Sequence, residues 1–478
     1  MEKLLHYIWK HRILPLAELQ TTDGRSVEVI DPGLHNMHAG PDFFNAKVRI
    51  DGVMWVGNVE IHERSADWFL HGHDTDAAYN NVVLHVAAVV DADVVTERGD
   101  HLPQVQLEVP QHVLANYRRL LAFDRYPPCR DAVLPLDSIK KRTWLSALLA
   151  ERLNDKTEAI RRRVELFEGS WEEAFFATMA RSFGFGVNSE AFGQWAERLP
   201  LMQIAHHRDD PFQVEAMFMG MAGLLDETQM TPQTREAAEG DAYFLSLKRE
   251  FGYLSRKFGL EPMSRQAWRF LRLRPQNFPY IRMSQLAQLY CSRRAALADI
   301  TACESVKKLH AVLQTGVGEY WRTHYTFGKE SRANDKRLSA SSINLLIINA
   351  AVPLLHAWGC YRDDERLVQR ALDWLEELPA EDNTYIRLWK ECGVEASNAA
   401  DTQALIQLQH RYCERKECLR CRFGYYSLKR SSPSQSPSQS NSESPSQSNS
   451  ESPSQSNSES PSQSNSESPS QPSPSGRA

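Results

Sequence analysis

The chain has 478 residues, 42% of them hydrophobic and 9% aromatic, enough to bury a sizeable core and to build two or three domains. A formal net charge of −6 excludes a uniformly basic nucleic-acid coat, so charge has to be read region by region. Eight cysteines are too sparse for a disulfide scaffold, Lys10, His11 and Arg12 interrupt any secretory signal, and no apolar run reaches roughly 18 residues. A cytoplasmic protein without membrane contact is therefore expected.

Leu4, Leu5, Ile8 and Trp9 share one face of a short helix, and Val27 and Val29 alternate with polar neighbours as a strand does. After the turn at Asp31-Pro32-Gly33, a polar loop leads to Gly40-Pro41-Asp42-Phe43. Phe44, Ala46, Val48 and Ile50 then alternate with Asn45, Lys47 and Arg49, Asp51-Gly52 signals a tight hairpin, and a return strand runs from Val53 to Ile61. Period two puts Glu60 and His62 on one face of it. Two further strands are expected over residues 82–90 and 105–109.

Cutting a phosphodiester with a hard divalent cation needs carboxylates that share the ion and a group that orients or deprotonates water. Asp42 and Glu60 are the candidate Mg²⁺ or Mn²⁺ ligands. His62 is the third catalytic candidate, since histidine accepts a proton near neutral pH. The plain alternative makes Asp42 a strand cap and Glu60 a solvated edge residue. The neighbourhood argues for a site: nine of the sixteen histidines precede residue 102, and His71-Gly72-His73 and His85 follow the hairpin. Singly these are a loop and a core histidine, but together His71, His73 and His85 look like the polar floor of a secondary pocket. Zinc is the runner-up there, with His62, His71, His73 and His85 as the right ligand type, although no histidine pair stands at i, i+4 on a helix. The oxygen-rich site is preferred.

From Tyr126-Pro127-Pro128 the pattern becomes helical, with apolar residues at helical spacing over 139–167, 171–183 and 211–225. Residues 248–294 carry eleven Lys or Arg against two acids, with aromatic residues interleaved. Such a segment suits phosphate contact and base stacking, and Arg272, Arg274 and Arg282, around Pro275 and Pro279, are the nucleic-acid-binding candidates. The plain alternative is a solvated helix face over an aromatic interior. Asn349 is expected to be a buried amide bonding a neighbouring helix. Cys413-X4-Cys418-X2-Cys421 offers three corners of a Zn²⁺ site or three ligands of an iron-sulfur cluster, with a fourth sought from His410, Cys392 or Cys360. Beyond Ser431 a Ser/Pro/Gln/Asn/Glu octapeptide recurs, which reads as a disordered tail.

Pro41-Asp42, a hairpin and Glu60-Ile61-His62 resemble the signature of the PD-(D/E)XK nuclease superfamily, with His62 where a lysine is usual. Gly40-Pro41-Asp42-Phe43, Val59-Glu60-Ile61-His62, His71-Gly72-His73, Val83-Leu84-His85-Val86, Arg272-Leu273-Arg274-Pro275, Asn277-Phe278-Pro279 and Cys418-X2-Cys421 resemble the uncharacterised bacterial family called domain of unknown function 2851. That second resemblance spans about residues 1–430 and implies no activity. The expectation is an α+β protein: a small mixed α/β, restriction-endonuclease-like sheet domain at 1–125, a larger all-α domain at 126–430, and a disordered tail at 431–478. Its expected function is Mg-dependent phosphodiester cleavage (a nuclease) on nucleic acid. The alternative is a non-catalytic nucleic-acid-binding or scaffold protein that retains the fold.

Overall fold

The computed structural model describes residues 1–13, 19–36, 39–122 and 127–430. Residues 1–430 form one compact unit, and the expected disordered tail at 431–478 lies outside the described residues. The architecture is α+β, a mixed sheet followed by a long succession of helices.

The sheet comprises β1 (Leu19–Gln20), β2 (Ser26–Asp31), β3 (Leu34–His35), β4 (Phe43–Ile50), β5 (Val53–Arg64), β6 (Val82–Val89) and β7 (Gln104–Gln106). Its spatial order is β1-β2-β4-β5-β6-β7, with β3 also paired to β4. The pairs β2–β4 and β4–β5 are antiparallel, whereas β5–β6 and β6–β7 are parallel. The β4–β5 hairpin forms at the predicted turn because Asp51 and Gly52 both take positive φ, 48° and 81°, the conformation a two-residue turn of right-twisted strands requires.

β5 changes character along its length. Val53, Met54, Trp55 and Val56 are exposed, while Val59 through His62 are buried on both faces. One face is covered by α1 (Glu2–His11), whose Leu4, Leu5, Ile8 and Trp9 pack with Val59 and Ile61 as the helical spacing predicted. The other face, carrying Glu60 and His62, lies under the segment that begins with α2 (Asp67–Leu70) and holds Trp68, His73 and Tyr79. The crossover between parallel β5 and β6 thus roofs the polar face of β5.

In the helical part, α3 (Gln111–Ala122) and α4 (Arg130–Val133) lead to α5 (Ser138–Leu166), capped by the Asp137 carboxylate on the Lys140 amide at 2.8 Å. The predicted helices appear as Trp171–Phe183 and Pro211–Met221. The apolar helix spanning Ala340–Arg362 has the length and composition to cross a membrane, yet 72% of its most apolar window is buried inside the protein. Asn349 within it is only half-buried: its Oδ1 accepts from Lys156 of α5 at 3.1 Å, while its Nδ2 donates to Leu345 on its own helix. Tyr7 and Leu120 from the N-terminal part share a core with Trp144, Trp389, Phe423 and Leu428.

Candidate functional site

Antiparallel pairing sets Phe43 opposite Val59, which brings Asp42, one residue before β4, beside Glu60. The Asp42 amide donates to Glu60 Oε2 at 3.0 Å, and the Ile61 amide donates to Asp42 Oδ2 at 2.9 Å. Each carboxylate is thus oriented by the backbone of the other's strand. His6 of α1 adds Nε2 at 3.2 Å from Asp42 Oδ2 and 3.4 Å from the Ile61 carbonyl. Burial opposes charge on His6, but the hydrogen bond and negative charge of Asp42 outweigh it, so its pKa is raised. Burial pushes the Glu60 carboxyl up as well, with the Asp42 charge adding and a hydrogen bond to His73 opposing.

The remaining Glu60 oxygen, Oε1, faces imidazoles: His73 Nε2 at 3.2 Å and His62 Nε2 at 3.7 Å. His62 Nε2 in turn lies 3.2 Å from His71 Nδ1. A chain of hydrogen bonds determines which nitrogen of His62 is bare. Gln104 of β7 donates Nε2 to the Ala92 carbonyl at 3.1 Å, so its Oε1 faces His85 Nδ1 at 3.2 Å and accepts from it. His85 Nε2 then carries a lone pair and accepts from His62 Nδ1 at 2.9 Å. The lone pair of His62 is left on Nε2, aimed at Glu60 and His71. Burial, reinforced by the neighbouring histidines, drives the His62 pKa down to about 2, and burial drives His85 down to about 4. Both rings are therefore neutral at physiological pH. Tyr79 stacks on His73 with ring centres 3.8 Å apart, and Trp68 meets the rings of His62, His73 and His85 edge-on.

Sequence reasoning named Asp42, Glu60, His62, His71, His73 and His85, and the fold brings all six into one cluster, with His71 as its exposed member. It missed His6 and Gln104. The position of Leu4, Leu5, Ile8 and Trp9 turned inward was the one available pointer to His6, because it places His6 on the flank of the same packed helix. Gln104 carried no local signal.

The donor atoms fit a small ion. A tetrahedral site with bonds of about 2.0–2.1 Å sets its ligand atoms roughly 3.3 Å apart. One ligand nitrogen from each of His62, His71 and His73 lies within 4.8 Å of the others, and Glu60 Oε1 stands beside two of those rings. Three imidazoles and a carboxylate make a nitrogen-rich set, in contrast to the oxygen-rich pair expected. Asp42 is directed at the Ile61 amide and His6, where it steadies the hairpin.

The other candidates fall elsewhere. Arg272 and Arg274 are exposed, as a phosphate contact requires. Arg282 is not: it is 7% exposed, gives its guanidinium to Gln285 Oε1 at 2.8 Å and Asn277 Oδ1 at 2.6 Å, and stacks over Phe185. Its position in the first turn of helix Pro279–Cys291, whose opening turns are buried on all sides, removes it from any surface. Cys413, Cys418 and Cys421 line one cavity. None of the expected fourth ligands does so: His410 pairs with Glu414 at 2.9 Å, and Cys360 lies beside His356.

A family model described as "Protein of unknown function (DUF2851)" matches residues 2–384, which covers the whole sheet and most of the helices. No curated protein and no solved structure matches the chain.

Proposed function

We propose that this chain, which belongs to the DUF2851 family, is a metal-dependent hydrolase of phosphodiesters acting on nucleic acid, with its ion held by His62, His71, His73 and Glu60. The observation that carries the reading is the convergence of those four side chains, with His62 Nε2 and His71 Nδ1 3.2 Å apart and Glu60 Oε1 3.2 Å from His73 Nε2. Imidazole-rich sets favour Zn²⁺ and other borderline ions over Mg²⁺, and the carboxylate leaves Mn²⁺ acceptable. Bound there, a divalent ion supplies a Lewis acid for a phosphoryl oxygen and a water of lowered pKa.

The protein's own contribution is preparation of that ligand set. The Gln104–His85 chain presents a neutral His62 with its lone pair outward, the Asp42 amide turns Glu60 so that Oε1 faces the rings, and Trp68 and Tyr79 exclude water from the floor. Exposed His71 leaves one side open to substrate. Nucleic acid as the substrate class is supported by the Pro41-Asp42…Glu60-X-His62 hairpin pattern and by the exposed Arg272 and Arg274.

The test is cleavage of single- and double-stranded DNA and RNA by the full chain, stripped of metal and supplied in turn with Zn²⁺, Mn²⁺ and Mg²⁺. Glu60→Gln and His71→Ala are expected to cut turnover at least about 100-fold, in the range found for positioned acid-base and ligand groups. Calorimetric titration of the ion should weaken in parallel. Undiminished cleavage in both variants would remove the site from the reaction. Absence of cleavage with every ion, together with salt-sensitive binding lost in Arg272→Ala/Arg274→Ala, would favour the non-catalytic binding protein.

A further inference from the structure

The cavity lined by Cys413, Cys418 and Cys421 has a fourth cysteine in its wall, Cys129, the residue that opens α4. Cys129 comes from one part of the chain and the other three from the short stretch 413–421. Cys413 ends the π-helical stretch Leu408–Cys413, Cys418 begins a 3₁₀ turn, and Cys421 caps helix Arg422–Lys429. All four are free thiols, with Cys129 and Cys421 buried and Cys413 and Cys418 half-buried. The cavity measures about 220 Å³, an order of magnitude more than one water needs.

Hydrogen-bond donors converge on the sulfur at the start of the last helix. The Phe423 and Gly424 amides, at the start of helix Arg422–Lys429, are directed at the Cys421 sulfur. Trp144 is 5% exposed, its Nε1 has no full hydrogen bond, and the same N–H lies toward the Cys421 sulfur. Lys416 lines the cavity as well.

Spacing decides the kind of metal. A zinc ion with Zn–S bonds of about 2.3 Å draws its sulfurs to roughly 3.8 Å of one another. Among the described residues the histidine trio closes to within 4.8 Å and no trio of these cysteines does. A cluster of several irons bridged by sulfide spreads its four thiolates more widely and needs the larger cavity.

We infer that Cys129, Cys413, Cys418 and Cys421 together ligate a four-iron iron-sulfur cluster, which ties helix Arg422–Lys429 to α4. Each iron–thiolate bond forms as one thiol proton leaves for solvent, so occupancy releases four protons. The cluster is separate from the histidine site and does not depend on its chemistry.

The experiment is anaerobic purification of the full chain with iron and acid-labile sulfide assays, zinc analysis and electron paramagnetic resonance. Expected are about four iron and four sulfide per chain, retained in Cys360→Ser, whose thiol is exposed on another helix, and cut severalfold in Cys129→Ser and Cys413→Ser. Stoichiometric zinc without sulfide would overturn the cluster, and full iron in folded Cys129→Ser would overturn its fourth ligand. If Cys129→Ser is insoluble, mild oxidation of the wild type decides. A cluster with only three thiolates readily loses its unprotected iron and gives a three-iron resonance signal, which would exclude Cys129; persistence of the four-iron form supports it.

Discussion

Glu60 and Glu215 are both buried carboxylates whose pKa burial raises, and their surroundings assign them opposite roles. Glu215 receives three side-chain donors, from Trp321, Tyr243 and Ser284, so its capacity is spent inside the helical core. Glu60 receives one backbone amide on Oε2, and its Oε1, hydrogen-bonded to His73, faces ligand-type nitrogens. A buried acceptor with unspent capacity is what a site needs, whereas a saturated one is architecture. The pH dependence of Glu215 follows from its sign. Its folded pKa lies above the unfolded value near 4.5, so the native state holds the proton more tightly, and the associated stability is present at low pH and lost as pH rises through the folded pKa. Relative to Glu215→Gln, the wild type should therefore lose stability as pH rises above about 4.5; paired urea titrations at several pH values measure this, and a flat difference would refute it. At this scale the residue types of the site were legible in the sequence, because Asp42, Glu60 and His62 belong to one hairpin. His6 and Gln104 were not, since they reach it from α1 and β7.

Among the elements, β5 sets the boundary between surface and site. Period two placed Glu60 and His62 on one face; the first residues of β5 are exposed, and the crossover into β6 buries that face at Glu60 and His62. That burial turns a spacing of two residues into a cluster in which the rings of His62 and His85 are neutral. The parallel pair depends on Gly57: a Cβ there would come within 2.3 Å of Val83 Cγ1 and 2.7 Å of the Asn81 carbonyl. Gly57→Ala should cost about 1–3 kcal/mol by overpacking, measured as a lower denaturation midpoint, and should weaken metal binding because β6 carries His85. A variant as stable as wild type would show that β5 and β6 separate without penalty. The helix from Pro279 illustrates the opposite limit of local reading. Basic and aromatic residues interleave over residues 248–294, but only packing reveals that Arg282 is on the inside.

Across the whole molecule, the first and last segments of the described chain are held together. Asn116 of α3, 7% exposed, donates to the carbonyls of Leu428 at 3.2 Å and Arg430 at 2.8 Å. Removing it in Asn116→Ala leaves those carbonyls without their amide partner, at about 1–3 kcal/mol. Hydrogen exchange should then accelerate in helix Arg422–Lys429 more than in β4 or β5, and uniform exchange across the chain would contradict this coupling. The cysteine cavity lies in the same region, with Leu120 of α3 in its wall.

By itself the sequence determined the α+β class, the β4–β5 hairpin, most of the long helices and the residue types available to the candidate site. All of these depend on residues close together in the chain: alternation of period two, helical spacing, a turn of two residues with positive φ, and ligand types a few positions apart. Only the tertiary structure decided that three imidazoles and Glu60 converge while Asp42 turns to the backbone, that Arg282 is internal, and that Cys129 joins three cysteines from the far end of the described chain. The physical reason is that burial and hydrogen-bond partnership belong to contacts between distant segments, and no local period in the sequence records them.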